Sequence, residues 1–534
     1  MVSLSPSEQL FEFCAGAASA IQNECDSLLS MKESRENSLL ECGPALVDLL
    51  LRQASQVNNY YQELQSTASS AVKIPPEKIS LVLKRLDDII SISYSKFYAF
   101  LFKELPICWR QLYTDASILK FCLKLLWTPY IYNHAVEGSR VDYEQFDGAE
   151  GDLSELVKIL DFALILAGAA GEQRGRTWIG KAFELLEVAC RDTVASTDVS
   201  STERPAKRQR LAQILDSHST SDDRVKVEDV FSAAEPFAPP IIHTIPRVNG
   251  LSMEAFQAHM DNPRDPKLGP EPLIIRGVID NWPALTTNPW NKPSYLLSRT
   301  FGGRRLIPIE IGRSYVDEGW GQKIVTFGEF LCQYIDPSLS KTQDKSDGST
   351  RAASPQQGTV AYLAQHPLFT QLPSLRNDIL IPDYCYTAPP PHPTDPSIDQ
   401  PELEAPLLNA WFGPPGTITP LHNDPYHNIL TQVVGRKYVR LYSPLDTGRM
   451  KARGKENGVE MGNTSLMDVG VVEGWDTVSE EGGNQPSEED LASFREVPYL
   501  DCILEPGDAL YIPIGWWHYV RGLSVSFSVS FWWN

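Results

Sequence analysis

Paired cysteine motifs are missing from this chain. Nine cysteines are scattered over 534 residues, at Cys14, Cys25, Cys42, Cys108, Cys122, Cys190, Cys332, Cys385 and Cys502, with no CxxC and no paired zinc-ligand spacing. That excludes a zinc-finger module and a disulfide framework, and it reads the cysteines as reduced core thiols of an intracellular protein. Long apolar runs are missing too. The most apolar stretch, Phe162–Ala170, is too short to span a bilayer, so no membrane role is expected. The N-terminus carries Glu8 and Glu12 and no basic stretch, which argues against a secretory signal. Positive charge is scarce: 47 Lys and Arg face 68 Asp and Glu, a formal net charge of −21. Such a surface does not suit a phosphate backbone, so no direct nucleic-acid binding is expected. It suits solubility, and it suits a basic protein or peptide partner.

What is present divides the chain in three. Residues 1–197 read as an α-helical interaction domain. Ile79–Leu86 has apolar residues at helical spacing after Pro75 and Pro76, a helix opens at Asp152 and ends near Gly168 or Gly171, and Thr177–Val194 is amphipathic. Residues 198–240 shift to Ser, Thr, Asp and Pro and read as a flexible linker. Its basic cluster, Arg204–Arg210, has the composition of a nuclear import signal, with a solvated charge run as the equal alternative. Residues 241–534 carry recurring strand signals at Pro272–Ile275, Arg305–Ile309, Asn428–Val434 and Lys437–Tyr442. The expected fold class is therefore α+β and multidomain, with helices first and an antiparallel β domain after them. Three long polar segments interrupt that domain, Asp336–Gly358, Thr387–Pro406 and Leu445–Val497, and their length and composition predict mostly disorder.

The chemistry concentrates in two places. Trp411–Pro425 runs from a Gly/Pro turn into a short strand bearing His422 and Asp424, which as i and i+2 residues of a strand share a face. Far downstream, Gly515-Trp516-Trp517-His518 supplies a second histidine. Two imidazoles and one carboxylate on one side of an ion make the facial triad of non-haem Fe(II) oxygenases. His427 is five residues from His422, so a continuous strand puts it on the opposite face. The final strand alternates Leu523, Val525, Phe527, Val529 and Phe531 with Ser524, Ser526, Ser528, Ser530 and Trp532. Its apolar face packs on something. Its small-hydroxyl face either leaves room for a ligand inside a barrel or meets solvent.

The segment Trp411–Pro444, the turn Glu505–Asp508 and the Ser/Phe strand ending in Trp532-Trp533 resemble the jumonji-C (JmjC) dioxygenase family. Tyr362–His366 and Ile381–Cys385 are similar to a subgroup that joins an N-terminal helical region to a C-terminal JmjC domain. The resemblance covers about residues 270 to 534. It implies a double-stranded β-helix (a cupin-like fold), Fe(II), 2-oxoglutarate and O₂. It implies His422, Asp424 and His518 as metal ligands. It implies Lys437 as partner of the distal carboxylate of 2-oxoglutarate, with Tyr362, Thr419 and Asn428 as hydrogen-bonding neighbours and Trp411 and Trp532 as aromatic walls. Glu310 matches a substrate-side acidic residue. With Asp317, Glu318 and Trp320 it forms a segment suited to a cationic side chain.

The resemblance further implies oxidative decarboxylation of 2-oxoglutarate to succinate and CO₂, coupled to oxygen transfer to a substrate C–H. No catalytic residue beyond the metal centre is required. The subgroup is associated with arginyl C-3 hydroxylation and has also been described as a histone lysine demethylase. The expected substrate is thus a basic protein or peptide, a histone or a ribosomal or chromatin-associated protein among the candidates. The expected location is nuclear, with the cytoplasm as alternative. Two readings of other classes stand beside this one: a catalytically silent cupin-like protein-binding scaffold, and a Zn²⁺ hydrolase on the same three ligands.

Overall fold

The computed structural model of the protein describes residues 4–30, 38–66, 76–100, 104–126, 149–171, 174–197, 230–317, 319–337, 360–456, 459–477 and 486–534. They fall into two compact units, one within residues 1–220 together with 304–306, the other the remaining residues from 221 on. The basic cluster Arg204–Arg210 and the segment 338–359 lie outside the described residues.

The first unit is helical. Its long helices are α1 (Pro6–Ser30), α2 (Pro44–Ser66), α3 (Pro76–Phe97), α4 (Ile107–Leu125), α5 (Ala149–Ala167) and α6 (Gly175–Thr197). α1 buries Leu10, Cys14, Ala17, Ala18, Ile21 and Cys25, a stripe at steps of three and four that turns one face inward. α4 is buried almost all round from Leu112 to Leu119, the pattern of a central helix. α5 ends at Gly168, whose φ of +65° gives the left-handed residue that closes many helices. No helix among the described residues is long and apolar enough to cross a membrane.

The second unit is built on strands. In chain order they are β1 (Arg247–Asn249), β2 (Leu273–Arg276), β3 (Leu306–Ile311), β4 (Gly321–Thr326), β5 (Ala361–His366), β6 (Leu407–Gly413), β7 (Ile418–His422), β8 (His427–Val434), β9 (Lys437–Tyr442), β10 (Lys455–Glu456), β11 (Val459–Glu460), β12 (Tyr499–Leu504), β13 (Ala509–Ile512), β14 (Trp517–Gly522) and β15 (Ser526–Trp533). Among the described residues they form a nine-stranded sheet ordered β1-β2-β13-β8-β15-β6-β5-β3-β4, a four-stranded sheet ordered β12-β9-β14-β7, and the small hairpin β10–β11. Most neighbours pair antiparallel. This is the cupin-like, antiparallel architecture that the family resemblance implied.

β15 shows how sequence alternation becomes a wall. Phe527, Val529 and Phe531 are fully buried in an aromatic-rich core with Trp282, Trp290, Phe412 and Phe369. Phe412 stacks on Phe527 at 4.7 Å, and Trp290 meets the same ring at 4.6 Å. Ser526, Ser528 and Ser530 point the other way and are also buried, so the hydroxyl face looks into the barrel rather than to solvent. The strand begins at Ser526, three residues later than the alternation suggests, because Leu523–Val525 form the bend from β14.

Two of the three expected disordered segments are ordered. Thr387–Pro406 is held by its own polar groups: the buried His392 accepts at Nδ1 from the Asp395 N–H at 3.0 Å, and its N–H donates to Asp399 at 3.0 Å. Leu445–Val497, apart from 457–458 and 478–485, folds into turns and short helices around Met450, Met467, Val469 and Phe494. A few apolar residues in a polar composition are enough to nucleate it. Residues 230–240, expected as linker, are part of the second unit: Phe231 is buried against Phe412 at 5.8 Å, and Glu235 pairs with Arg436 at 2.7 Å.

Candidate metal and cosubstrate site

Strands of both sheets enclose a cavity of about 350 Å³, its mouth included. β5, β6, β8, β13 and β15 supply Tyr362, Trp411, Asn428, Leu430, Ile512 and Ser530 from the large sheet. β7, β9 and β14 supply Thr419, His422, Lys437, His518 and Val520 from the small one, and Asp424 completes the lining.

His422, Asp424 and His518 offer ligand atoms that all lie within 4.8 Å of one another. The two histidines are cross-strand partners, and their rings lie 4.1 Å apart. His422 Nδ1 is 2.8 Å from the Pro420 carbonyl and His518 Nδ1 is 3.1 Å from the Trp516 carbonyl. A carbonyl only accepts, so each Nδ1 carries the proton and each Nε2 keeps a free lone pair. Those Nε2 atoms sit 3.7 and 3.5 Å from the two oxygens of Asp424. Burial, reinforced by His518, pushes His422 down to about 4, so its imidazole is neutral at pH 7. Burial opposes ionisation of Asp424, but the facing histidines, His518 before His422, outweigh it and hold the carboxyl below its ordinary value. A neutral His422 and an ionised Asp424 are the protonation states that a divalent cation needs. Asp424 does not sit on the strand with His422, as the HxD spacing implied. β7 stops at His422 and Asp424 falls in the irregular stretch before β8, immediately ahead of Pro425, which restricts its backbone.

Lys437 occupies a different part of the cavity. Burial pushes its ammonium down to about 7, and no carboxylate pairs with it among the described residues. Nζ donates instead to the Tyr362 hydroxyl at 3.2 Å and the Trp411 carbonyl at 3.4 Å. Tyr362 is buried, hydrogen-bonded to Thr419, and raised well above its ordinary value by that burial. The Trp411 indole donates to Ser530 Oγ at 2.9 Å. Asn428 Oδ1 is buried with no partner. A buried ammonium without a carboxylate partner is what a site for an anion needs, and the unpartnered Asn428 carboxamide marks room for a polar neighbour beside it.

Three expected site residues, Trp532, Glu310 and Trp320, stand outside the lining. Trp532 follows Ser530 on the same face, but its ring stacks on Tyr426 at 5.6 Å and its indole N–H has no partner. One more step along the strand carries it past the cavity. Glu310 lies opposite Tyr362 across β3 and β5, is raised by burial, and accepts a hydrogen bond from Trp320, which is 36 % exposed. His427 faces away because it stands one position before the lining residue Asn428 on β8, not through its spacing from His422, since β7 ends there; its Nδ1 is 2.8 Å from the Tyr511 hydroxyl and its Nε2 2.9 Å from the Pro390 carbonyl. Conversely, Leu430, Ile512, Val520 and Ser530 line the cavity without having been singled out as contacts. Leu430 and Val520 stand two residues beyond Asn428 and His518, so strand alternation alone carries the signal.

A family model described as a cupin-like domain matches residues 264–534. Among curated proteins, the chain is 40 % identical over 290 residues to "Lysine-specific demethylase 8" of Danio rerio, covering 54 % of this chain and 58 % of that one. It is 39 % identical over 286 residues to "Lysine-specific demethylase JMJ30" of Arabidopsis thaliana, covering 54 % of each. It is 34 % identical over 290 residues to "Jumonji C domain-containing protein 5" of Drosophila melanogaster, covering 54 % and 60 %. The matched region thus spans between half and three fifths of these relatives.

Proposed function

The chain belongs to the cupin-like domain family, its second unit being of the jumonji-C kind, and from that premise we propose that it is an Fe(II)- and 2-oxoglutarate-dependent oxygenase that hydroxylates an arginine side chain of a basic protein. The observation that carries the reading is the pairing, in one cavity, of a His-Asp-His donor set with a buried lysine that has no anionic partner among the described residues. With iron and 2-oxoglutarate bound, O₂ would be the oxidant: one of its atoms would go into succinate as 2-oxoglutarate loses CO₂, and the other to a substrate C–H.

The chain's own residues supply position. The Pro420 and Trp516 carbonyls fix the tautomer and tilt of the two imidazoles. Lys437, with the Tyr362 hydroxyl beside it, would take the distal carboxylate of the cosubstrate, and Asn428 and Thr419 offer hydrogen bonds along its length. Leu430, Ile512 and Val520 keep the remaining wall apolar, which strengthens those charge contacts and limits water. Beyond the cavity lining, the Glu310 carboxylate would suit a guanidinium better than a trimethylated amine, because a carboxylate pairs with N–H donors that a quaternary ammonium lacks. Two of the three relatives are named for the other outcome, demethylation of lysine. Mass spectrometry of arginine-rich and methyl-lysine peptides, incubated with the protein, Fe(II), 2-oxoglutarate and O₂, separates the two. Gain of one oxygen on an arginine supports the proposal, and loss of a methylene from a methyl-lysine replaces it.

A further inference from the structure

The three candidate ligands are not held alike. His422 and His518 are paired across β7 and β14, so the sheet itself fixes them. Asp424 lies on no strand. β7 is moreover the edge of its sheet. The open side of β7 is covered by a strip of the segment that follows β11. The Ser465 N–H donates to the Leu421 carbonyl at 2.8 Å, and Thr464 forms an antiparallel bridge with His422. The Asn423 N–H donates to the Asn463 carbonyl at 3.0 Å, and the Asn463 carboxamide donates back to the Asn423 carbonyl at 3.1 Å. The two peptide groups between His422 and Asp424 are thus both gripped by one residue. The strip is anchored in turn: the Arg453 N–H donates to the Thr464 carbonyl at 2.8 Å, and the Thr464 hydroxyl meets Tyr315 at 3.2 Å.

We propose that Asn463 is a positioning residue for the metal centre: its carboxamide, by holding the carbonyl of the peptide group that joins Asn423 to Asp424, sets the place of the Asp424 carboxylate relative to the two imidazoles. The inference rests on the reading of His422, Asp424 and His518 as ligands. The paired strands keep the histidines in place without help, whereas a carboxylate on an irregular segment depends on whatever pins its backbone. Losing the grip leaves the histidine pair intact and broadens the position of the third donor, so cation binding weakens while the fold persists.

The test uses the full chain with Asn463→Leu, which keeps the volume and removes the donor, and Asn463→Ala. Affinity for Mn²⁺ is measured by calorimetry, the visible absorption of the Co²⁺-loaded protein reports the ligand geometry, and melting is followed without metal. The expected result is a roughly tenfold loss of Mn²⁺ affinity and an altered Co²⁺ spectrum, with melting of the metal-free protein unchanged, because the Asn463 side chain is exposed. Wild-type affinity and spectrum in both variants overturn the proposal. So does a loss of affinity matched by an equal loss of metal-free stability, which marks a merely structural role. Failure of the parent chain itself to bind Mn²⁺ or Co²⁺ overturns the ligand reading instead, and this inference with it.

Discussion

Lys437 concentrates the site's electrostatics in one side chain. Its folded form releases the proton near pH 7, whereas the unfolded chain holds it to about 10.5, so between those values unfolding takes up a proton and stability rises with pH. Replacing it with methionine removes the buried charge. Lys437→Met is expected to raise stability by about 0.5–2 kcal/mol in thermal melts while abolishing tight 2-oxoglutarate binding; a destabilised variant with normal binding contradicts both halves. In the parent protein the anion needs the ammonium form, so 2-oxoglutarate affinity should fall as pH rises above about 7, by up to roughly tenfold per unit. Calorimetry in two buffers of different ionisation heat should show proton uptake at pH 8.5, and a pH-independent affinity refutes this. The lysine was legible in the sequence only through its position after a turn in a family-like segment, because nothing in composition distinguishes a buried lysine from an exposed one. Asp424 was legible as a candidate ligand and misjudged in placement, since HxD spacing is compatible with a continuing strand and with one that has just ended. Trp532 was placed one strand step too deep.

At the scale of elements, the turn Gly435-Arg436 carries the chain from β8 in the large sheet to β9 in the small one, so the two strands are not sheet neighbours, and Lys437 opens β9. The turn residue Gly435 has φ of +65°, and a Cβ there would run into the Val525 carbonyl and the Ser524 hydroxyl. Gly435→Ala is expected to cost about 2–4 kcal/mol, from left-handed strain plus that collision, read as a lowered melting temperature; a change under half a kilocalorie would mean that the turn relaxes freely. The strand pattern was easiest to read here: Lys437–Tyr442 is β9 to the residue, and Asn428–Val434 is β8 less its first position. Each is bounded by turn chemistry that leaves little choice. Leu445–Val497 was not readable in the same way. Its order comes from Met450, Met467, Val469 and Phe494 meeting the outer face of the small sheet, and residues spaced that far apart in an acidic segment give no local period. Asn463, exposed and polar, carries no sequence signal at all; only the register against β7 shows what it touches.

On the scale of the whole molecule, the family match begins at residue 264, yet the second unit's core does not. Phe231, Ile245, Phe256 and Met260 are buried in it. A fragment covering 230–534 should therefore fold and bind metal, whereas one starting at 264 should lose more than the ~3–5 kcal/mol that one buried phenylalanine contributes, as followed by denaturant unfolding; equal stability of the two would refute the extended core. The division into a helical part and a strand-rich part was visible in the change from helical to alternating periodicity. The role of residues 230–240 was not, because a single buried phenylalanine in a Pro-rich stretch reads as linker. The net charge of −21 agrees with a basic substrate without choosing one. The central claim is that His422, Asp424, His518 and Lys437 together support 2-oxoglutarate turnover. Its most direct measurement is succinate formed from 2-oxoglutarate in air, with Fe(II) added, by the parent protein and by His422→Ala at matched melting temperature. The account predicts iron-dependent succinate from the parent and none above background from the variant; equal succinate from both would contradict it.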